Sequence, residues 1–364
     1  MDSVEGIRNE NIEPLNLAPQ ASLCCVSTNG NMLDGIVTAK QTASQHGLRP
    51  NTMLPQDSMA ELPEAPIVLL TGATGYVGGL LVSLLEKQPV KLRCLARNPD
   101  KLRPLVKKST QIVRGDVLDA TSLDEALQGV QTAYYLVHLM SGSKDFEKED
   151  KQAAENFAVA AKKAGVQRII YLGGLGDDAD PNLSPHLRSR HEVGQILRDS
   201  GVETVEFRAG MVVGAGSLSW QLMKSLTDRL PVMLCPRWLT TPTQPIAVDD
   251  VLSYLLAGRE LPPGDSRIFE IGSPDIVSYG DLIREYARQK GLRRWLIFVP
   301  ALTPYLSGLW LALVTPASFE IGRHLIEGLK NPTVARDTKA LEVFSIRPMG
   351  VRDAIQQAIA STTK

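Results

Sequence analysis

The chain has 364 residues, of which 43% are apolar and 22% charged, so it can bury a substantial core. Its formal net charge of −1 and the shortness of its basic runs argue against a nucleic-acid partner. The four cysteines show neither metal-ligand spacing nor a disulfide pattern, so we predict no metal site and a reducing, cytoplasmic location.

The first 62 residues differ in composition from the rest of the chain. They are rich in Asn, Gln, Ser, Thr and Pro and show no sustained hydrophobic periodicity. Such a segment cannot bury enough apolar surface to offset the entropy lost on ordering. Asp2 and Glu5, together with the lack of a long apolar run, argue against a secretory or organellar targeting segment. We therefore predict a disordered extension over residues 1–62.

A strand, a glycine turn and a helix follow. The apolar run Ile67–Leu70 ends at the turn TGATGYVG, and an amphipathic segment spans Tyr76–Lys87. Gly72 allows the tight turn, Gly75 lets the backbone approach a pyrophosphate, and Gly78 lets the helix lie close to the sheet. The free amides at the helix start favour the phosphates of a dinucleotide. The predicted cofactor-binding residues of this turn are Gly72, Ala73, Thr74, Gly75, Tyr76, Val77 and Gly78.

Strand-like and helix-like segments then alternate as far as residue 208. This alternation predicts an α/β fold, a Rossmann-type doubly wound parallel sheet over residues 63–215. Residues 216–364 are predicted to form a smaller C-terminal α/β region on the substrate side, with a short strand at Ile268–Ile271 outside the sheet. The predicted strands are 67–71, 91–96, 111–114, 132–137, 168–172 and 203–208, and the predicted helices are 76–87, 99–107, 122–128, 146–164 and 187–199.

The phrase TGATGYVGG resembles the fingerprint of the extended and atypical short-chain dehydrogenase/reductases. The range 67–360 is similar to the bacterial NmrA-like, nucleoside-diphosphate-sugar-epimerase-like NAD(P)H-binding proteins. RCLARNPDKL, QIVRGDVLD, RIIYLGGLG and TQPIAVDDV are among the phrases that carry this resemblance. It implies an NAD(P)H cofactor and a small-molecule substrate, and many such proteins have no assigned substrate.

The end of the second predicted strand bears on the choice of nicotinamide cofactor. A carboxylate at this position holds the ribose 2′-hydroxyl of NAD, whereas an arginine accommodates the 2′-phosphate of NADP. The sequence reads Cys-Leu-Ala-Arg-Asn, with Arg97 and no acid before Asp100. We therefore predict NADP(H) as the preferred cofactor and retain NAD(H) as the alternative.

Asp116 and Val117 follow the third predicted strand in the phrase RGDV. The phrase resembles the family's G-D-[LVI] element, which implies contacts of the acid and the next backbone amide with the adenine. Asp116 has a second interpretation as the N-cap of the following helix.

The catalytic position departs from the resembled family. Active short-chain dehydrogenases carry Tyr-x-x-x-Lys, in which the tyrosine donates a proton and the lysine lowers its pKa and holds the ribose. Here His186 and Arg190 stand at the two positions, and the upstream serine is replaced in the run Gly173–Gly176. His186 can donate a proton near neutral pH, and Arg190 can hold the ribose hydroxyls.

Three interpretations of this site stay open. The first is an NADP(H)-dependent oxidoreductase for a hydrophobic carbonyl or quinone-like compound, with His186 as the acid. The second is a catalytically silent redox sensor, as in NmrA-like relatives. The third moves the acid to His138 or Tyr135.

The segment Trp295–Val314 has twenty residues without a charge, but Pro300 and Pro304 interrupt it. A spanning helix with these prolines would leave backbone groups unpaired in hydrocarbon. We predict an apolar cap over the substrate pocket, with a peripheral membrane-contacting patch and a true span as alternatives. The sequence carries no signal for an oligomeric state.

Overall fold

A computed structural model of the chain describes residues 64–139, 145–299 and 328–362. The extension predicted over residues 1–62 lies outside these ranges and stays a prediction. The predicted boundary near residue 215 between the dinucleotide-binding part and the C-terminal region also stays a prediction.

A seven-stranded parallel sheet forms the centre of the described chain. Its strand order is β11-β6-β5-β4-β1-β2-β3, in which the first six strands follow the Rossmann order 3-2-1-4-5-6. The predicted doubly wound α/β fold is therefore confirmed. The seven strands are β1 Ile67–Thr71, β2 Lys91–Ala96, β3 Gln111–Arg114, β4 Val130–Tyr135, β5 Arg168–Gly174, β6 Glu203–Ala209 and β11 Arg267–Ile271.

Helices connect these strands, and short strand pairs lie outside the main sheet. The helices are α1 Tyr76–Leu85, α2 Pro99–Leu102, α3 Ala120–Leu127, α4 Phe146–Lys163, α5 Pro185–Asp199, α6 Leu218–Arg229, α7 Val248–Arg259, α8 Tyr279–Gln289, α9 Lys339–Val343 and α10 Val351–Thr362. The short strands are β7 Val212–Val213, β8 Val232–Cys235, β9 Pro242–Thr243, β10 Ile246–Ala247, β12 Val277–Ser278 and β13 Trp295–Phe298.

Apolar side chains cover both faces of the sheet, because helices pack on both sides. Strand β1 shows this over two neighbouring residues. Leu69 belongs to a buried cluster with Phe157 of α4, whereas Leu70 belongs to another with Leu81 of α1. Because helices cover both faces, a ligand site is expected in the loops at the carboxyl ends of the strands.

The structure corrects the placement of one predicted strand and the length of one predicted helix. The strand predicted outside the sheet, Ile268–Ile271, is part of β11, which pairs in parallel with β6 and extends the main sheet. The helix predicted over residues 99–107 ends at Leu102 and continues as a short 3-10 turn, Arg103–Leu105. Pro104 lies within that turn, and proline lacks the amide that an α-helix needs.

The apolar segment that begins at Trp295 starts as strand β13, which pairs in parallel with β8. Residues 300–314 of the predicted cap lie outside the described residues. Among the residues that the structure describes, no helix combines the length and apolar character needed to cross a membrane.

Candidate functional site

The glycine turn after β1 has the backbone geometry that its spacing predicts. Gly72 has a φ of 74°, and a Cβ added to it would lie 2.5 Å from the carbonyl oxygen of Leu136. A Cβ at Gly78 would lie 2.2 Å from the Gly72 oxygen. The amide of Gly75 donates to the same oxygen over 2.9 Å. Side chains are therefore excluded from Gly72 and Gly78 by neighbouring backbone.

The start of α1 forms a cradle suited to phosphate. Gly75 is the N-cap residue, so the N-cap position has no side chain to accept a hydrogen bond from the first amides of the helix. Amides in this position point outward and carry the positive end of the helix dipole. With the tight glycine turn below them, these groups fit a dinucleotide pyrophosphate.

Arg97 lies at the same edge of the sheet. Strand β2 pairs with β1 in a register that places Thr71, where the glycine turn starts, opposite Leu95. Arg97 lies two residues after Leu95, just beyond the end of β2. Arg97 is exposed, and the side chain of Asn98 caps α2 by accepting from the Asp100 amide. The position suits a cationic contact with a cofactor phosphate.

Asp116 does not cap the helix that follows it, so that interpretation was wrong. Asp119 is the N-cap of α3, and its side chain accepts from the Thr121 amide. Asp116 instead accepts from the amide of Leu118 at 3.0 Å within the loop after β3. Val117 is buried. The predicted adenine contacts of Asp116 and Val117 stay predictions.

A cavity of about 380 Å³ opens beside the glycine turn, at the carboxyl ends of the central strands. Gly72, Gly75 and Gly78 form one side of it, and His138, His186 and Arg190 belong to its wall. Its position is the one where doubly wound sheets bind ligands. Its apolar wall includes Leu136, Leu172, Leu187, Met211, Leu218 and Leu329.

The two candidate acids, His138 and His186, meet in this wall. Their Nε2 atoms lie 3.0 Å apart, and their rings are 4.9 Å apart between centroids. His186 occupies the first turn of α5, where Pro185 opens the helix and Ser184 caps it. His138 comes from the loop after β4. The sequence analysis named both residues as candidate acids, but only the structure shows their contact.

Asp150 is a third member of this group, and it is not among the residues predicted from the sequence. Its Oδ2 lies 3.1 Å from Nδ1 of His138, and the residue is 2% exposed. A signal was present, because Asp150 interrupts the apolar stripe of α4 that buries Ala153, Ala154 and Phe157. A lone acid on a helix face otherwise directed to the core needs a partner.

Arg190 lines the cavity and also forms hydrogen bonds with the backbone. Its guanidinium donates to the carbonyl oxygens of Val137 and Leu172. It also lies 4.8 Å from the centre of the Tyr171 ring, a cation–π contact. Arg190 therefore ties the ends of β4 and β5 together, and the predicted contact with the ribose stays a prediction.

Tyr135 is excluded as an acid. Its ring packs 4.9 Å from Phe157 and 6.1 Å from Tyr171, inside the core on one face of the sheet. The residue is 1% exposed, and burial raises the pKa of its hydroxyl far above the ordinary value. The third interpretation is therefore restricted to His138.

The surroundings of His138 and Asp150 shift the pKa values of both side chains. Burial lowers the pKa of His138, the positive charge of Arg190 lowers it further, and the hydrogen bond to Asp150 opposes both. Burial acts to raise the pKa of Asp150. The hydrogen bonds that Asp150 makes with His138 and with the amide of Leu139 outweigh the effect of burial, so the pKa of Asp150 is lowered. Near neutral pH, Asp150 is ionised and His138 is neutral.

Comparison with known proteins agrees with this geometry. Residues 72–224 match a family described as NAD(P)H-binding. A Streptomyces griseus (4-alkanoyl-5-oxo-2,5-dihydrofuran-3-yl)methyl phosphate reductase is 30% identical over 42% of the chain and 50% of its own length. Quinone oxidoreductase 2 of Escherichia coli is 31% identical over 40% of the chain and 48% of its own length. The chain thus spans about half the length of these two relatives.

A longer match is to the ceramide reductase of Caulobacter vibrioides, 25% identical over 71% of the chain and 82% of that protein. Two solved structures share the fold. An Escherichia coli NADPH-dependent quinone oxidoreductase complexed with NADPH has a TM-score of 0.63 at 20% identity, over 80% of the chain and 99% of its own. A Staphylococcus aureus nucleoside-diphosphate-sugar epimerase has a TM-score of 0.62 at 16% identity, over 79% and 99%.

The glycine turn, the strand order and the family match therefore agree. Residues 72–224 match the NAD(P)H-binding family, and the chain shares its fold with a solved nucleoside-diphosphate-sugar epimerase.

Proposed function

We propose that the chain is an NADP(H)-dependent reductase of a hydrophobic carbonyl or quinone-like small molecule. The observation that carries the proposal is the contact between His138 and His186 in the wall of an apolar cavity beside the glycine turn. A histidine in this wall would be within reach of a carbonyl oxygen bound in the cavity and could donate a proton to it. The named relatives are reductases and oxidoreductases, which does not favour the redox-sensor alternative.

The cofactor would be held at the sheet edge by three groups. Gly72, Gly75 and the amides at the start of α1 would bind the pyrophosphate, Arg97 the 2′-phosphate, and Asp116 with Val117 the adenine. When bound, the reduced nicotinamide supplies a hydride. The residues of the chain bind and orient the substrate and provide the proton that completes carbonyl reduction.

The lining of the cavity supports an apolar substrate. Leucine and methionine side chains from several elements form much of the wall, and His138, His186 and Arg190 contribute its imidazole and guanidinium groups. An apolar wall with a few convergent polar groups suits a hydrophobic molecule bound by one polar end. The relative named ceramide reductase is consistent with a lipid-like substrate for this chain.

Turnover is the direct test of the reductase proposal. Purified protein with NADPH and a panel of hydrophobic ketones, aldehydes and quinones should oxidise the cofactor, followed by its absorbance. His186→Phe should lower kcat by about 100-fold or more, the contribution of a positioned general acid, and retain NADPH binding. Gln195→Ala, an exposed change on the same helix, should leave kcat unchanged. Cofactor binding with no turnover on any compound would favour the sensor instead.

The NADP(H) preference depends on Arg97. Arg97→Ala should weaken NADPH binding by about tenfold and leave NADH binding nearly unchanged, because a charge-assisted hydrogen bond contributes on the order of 1.5 kcal/mol. Fluorescence titration with both nucleotides measures this. Lys108→Ala, which removes another exposed cation, is the matched control. Equal affinity of the unmodified protein for NADPH and NADH would contradict the assignment.

We propose further that the sheet formed by β8 and β13 contacts a membrane surface peripherally. Trp295 pairs with Val232, and Ile297 with Leu234, so these four side chains share one face. They are between 49% and 70% exposed. The exposed cations Arg229, Arg237 and Arg293 are close in sequence to this apolar face, which suits anionic headgroups.

Co-sedimentation with phosphatidylcholine vesicles containing phosphatidylserine tests this contact. The double change Trp295→Ser and Ile297→Ser should weaken binding by about tenfold or more, since burying one such side chain contributes on the order of 1.5–3 kcal/mol. Leu105→Ser, another exposed apolar residue away from the β8–β13 face, is the control. Equal binding of the double variant, or no binding of the unmodified chain, would contradict the proposal.

A further inference from the structure

Residues 328–333, here called the wall segment, reach the cavity from a part of the chain far from the glycine turn. Gly328, Leu329 and Thr333 all belong to the cavity wall. Leu329 is partly buried and packs against an apolar cluster that includes Met211, which lines the same cavity. The position of this side of the cavity therefore depends on what holds the wall segment in place.

Thr333 anchors one end of the wall segment. Its amide donates to the carbonyl oxygen of Pro242 over 3.1 Å, and its own carbonyl oxygen accepts from the amide of Gln244 over 2.8 Å. The hydroxyl of Thr333 lies 2.8 Å from that of Thr243, and Thr333 is 6% exposed. Thr333 thus pairs with β9 in parallel, through backbone and side chain together.

Asn331 anchors the segment to the loop after β5. Its Nδ2 donates to Oδ2 of Asp180 over 3.0 Å and to the carbonyl oxygen of Asn182 over 3.1 Å. Its Oδ1 accepts from the amide of Ser184 over 3.0 Å. Asn331 is 6% exposed. Because one end of the side-chain amide must donate and the other must accept, it has a single orientation here.

The backbone of Asn331 connects this anchor to Leu329. The Asn331 amide donates to the carbonyl oxygen of Gly328 over 3.3 Å, which closes a turn with Leu329 as its second residue. Moving Leu329 out of the wall would therefore strain this turn and the three side-chain hydrogen bonds of Asn331. Buried donors and acceptors that lose their partners are costly, so the turn is held in place.

We propose that Leu329 determines which substrates fit the cavity and that Asn331 is the positioning residue that holds Leu329 in the wall. The inference rests on the proposed function and deepens it, because it concerns the apolar part of the carbonyl compound. Leu329 limits the length of the apolar chain that the cavity accepts. Asn331 acts only through the turn that carries Leu329.

The test of Leu329 uses straight-chain methyl ketones of increasing length. Protein loaded with NADP⁺ cannot reduce them, so calorimetric titration measures their fit alone. Leu329→Ala should raise the ratio of affinity for long over short ketones by about tenfold, the effect of extra room in an apolar pocket. Leu329→Trp should lower the same ratio. Leu341→Ala, which truncates an exposed leucine on α9, is the matched control and should leave the ratio unchanged.

The test of Asn331 asks whether its variants reproduce the altered length preference. Asn331→Ala should raise the ratio as Leu329→Ala does and retain NADPH affinity, whereas a merely structural role would weaken all ketones equally. Asn331→Asp keeps the size of the side chain but places a carboxylate against Asp180, so it should act in the same direction. If Asn331→Ala does not fold, Asn331→Asp supplies the comparison.

A double change provides the rescue. Combining Asp180→Asn with Asn331→Asp exchanges the donor and the acceptor of one hydrogen bond. The length preference should then return toward that of the unmodified protein. A double variant no closer to the unmodified protein than Asn331→Asp alone would contradict the role given to this contact.

The outcomes separate the two proposals. Ketones that bind but are never reduced with NADPH would refute the reductase proposal and leave the present inference standing. Binding with an unchanged length preference in Leu329→Ala would overturn the role of Leu329, and an unchanged preference in Asn331→Ala would overturn that of Asn331. Failure of every ketone to bind would overturn the inference, whereas turnover of other carbonyl compounds would still support the reductase proposal.

Discussion

Gly72 shows how one residue can be required both for the fold and for the site. Its φ of 74° lies in the left-handed region, and an added Cβ would lie 2.5 Å from the Leu136 oxygen. Gly72→Ala should therefore lower the free energy of unfolding by about 3 kcal/mol, from backbone strain and steric conflict together. Urea unfolding followed by tryptophan fluorescence measures this.

Gly165→Ala is the matched control for Gly72→Ala. Gly165 has a φ of 72°, but nothing lies within 4 Å of an added Cβ. The change should cost only the backbone strain, about 1 kcal/mol. Equal losses at Gly72 and Gly165 would show that the contact with Leu136 does not matter.

Helix α1 depends on close approach to the turn beneath it. A Cβ at Gly78 would lie 2.2 Å from the backbone oxygen of Gly72, so Gly78→Ala must displace the start of the helix. We expect a loss of about 1–3 kcal/mol in the free energy of unfolding, with weaker NADPH binding because the helix amides move.

The adjacent Gly79 provides a contrast within the same helix. An added Cβ there would meet its nearest neighbour, the Ala73 oxygen, only at 3.4 Å. Gly79→Ala should raise the free energy of unfolding by about 0.5–1 kcal/mol, since alanine loses less backbone entropy in a helix. A gain in stability at both Gly78 and Gly79 in urea unfolding would refute the close-packing role of Gly78.

Buried titratable groups link the stability of the fold to pH. Besides His138 and Asp150, an ion-pair network joins the loop after β5 to β6. Arg208 donates to Asp178 and to Glu206, each over 2.7 Å. His191 Nδ1 lies 2.5 Å from Asp178 Oδ1. The pKa of His191 is lowered, mainly by burial and in addition by the positive charge of Arg208.

Acidification should destabilise the folded chain in two stages. The pKa values of His138 and His191 are lowered, mainly by burial, so the unfolded chain binds more protons as pH falls through the ordinary histidine range of about 6.5. The pKa values of Asp150 and Asp178 are also lowered, so their contribution is lost below about pH 4.

The urea midpoint should accordingly fall between about pH 7.5 and about pH 5.5, across the histidine range. His191→Gln should make this fall shallower, because one buried group no longer takes up a proton on unfolding. Removal of an exposed carboxylate, as in Asp124→Asn, should leave the slope unchanged. A midpoint that rises on acidification over this interval would contradict the sign of the linkage.

The local pattern of residues was enough to predict the glycine turn, the first six strands and the Rossmann-type order they imply. These features depend on periodicity, glycine geometry and the handedness of crossovers, all of which act over short stretches of chain. The sequence also indicated His138 and His186 as candidate acids and Arg97 as a candidate contact of the 2′-phosphate. It could not show that the two histidines touch, because 48 residues separate them.

Tertiary packing decided the rest. The sequence predicts β11 outside the sheet because its run of five residues carries no signal of its partner. Pairing with β6 depends on the hydrogen-bonding edge that β6 leaves open. Tyr135 points into the core because helices cover both faces of the sheet, and its ring packs against Phe157 of α4 on one of them. Asp150 joins the site for the same reason. Its carboxylate is stable on a buried helix face only because the folded chain brings a hydrogen-bond partner, His138, to it.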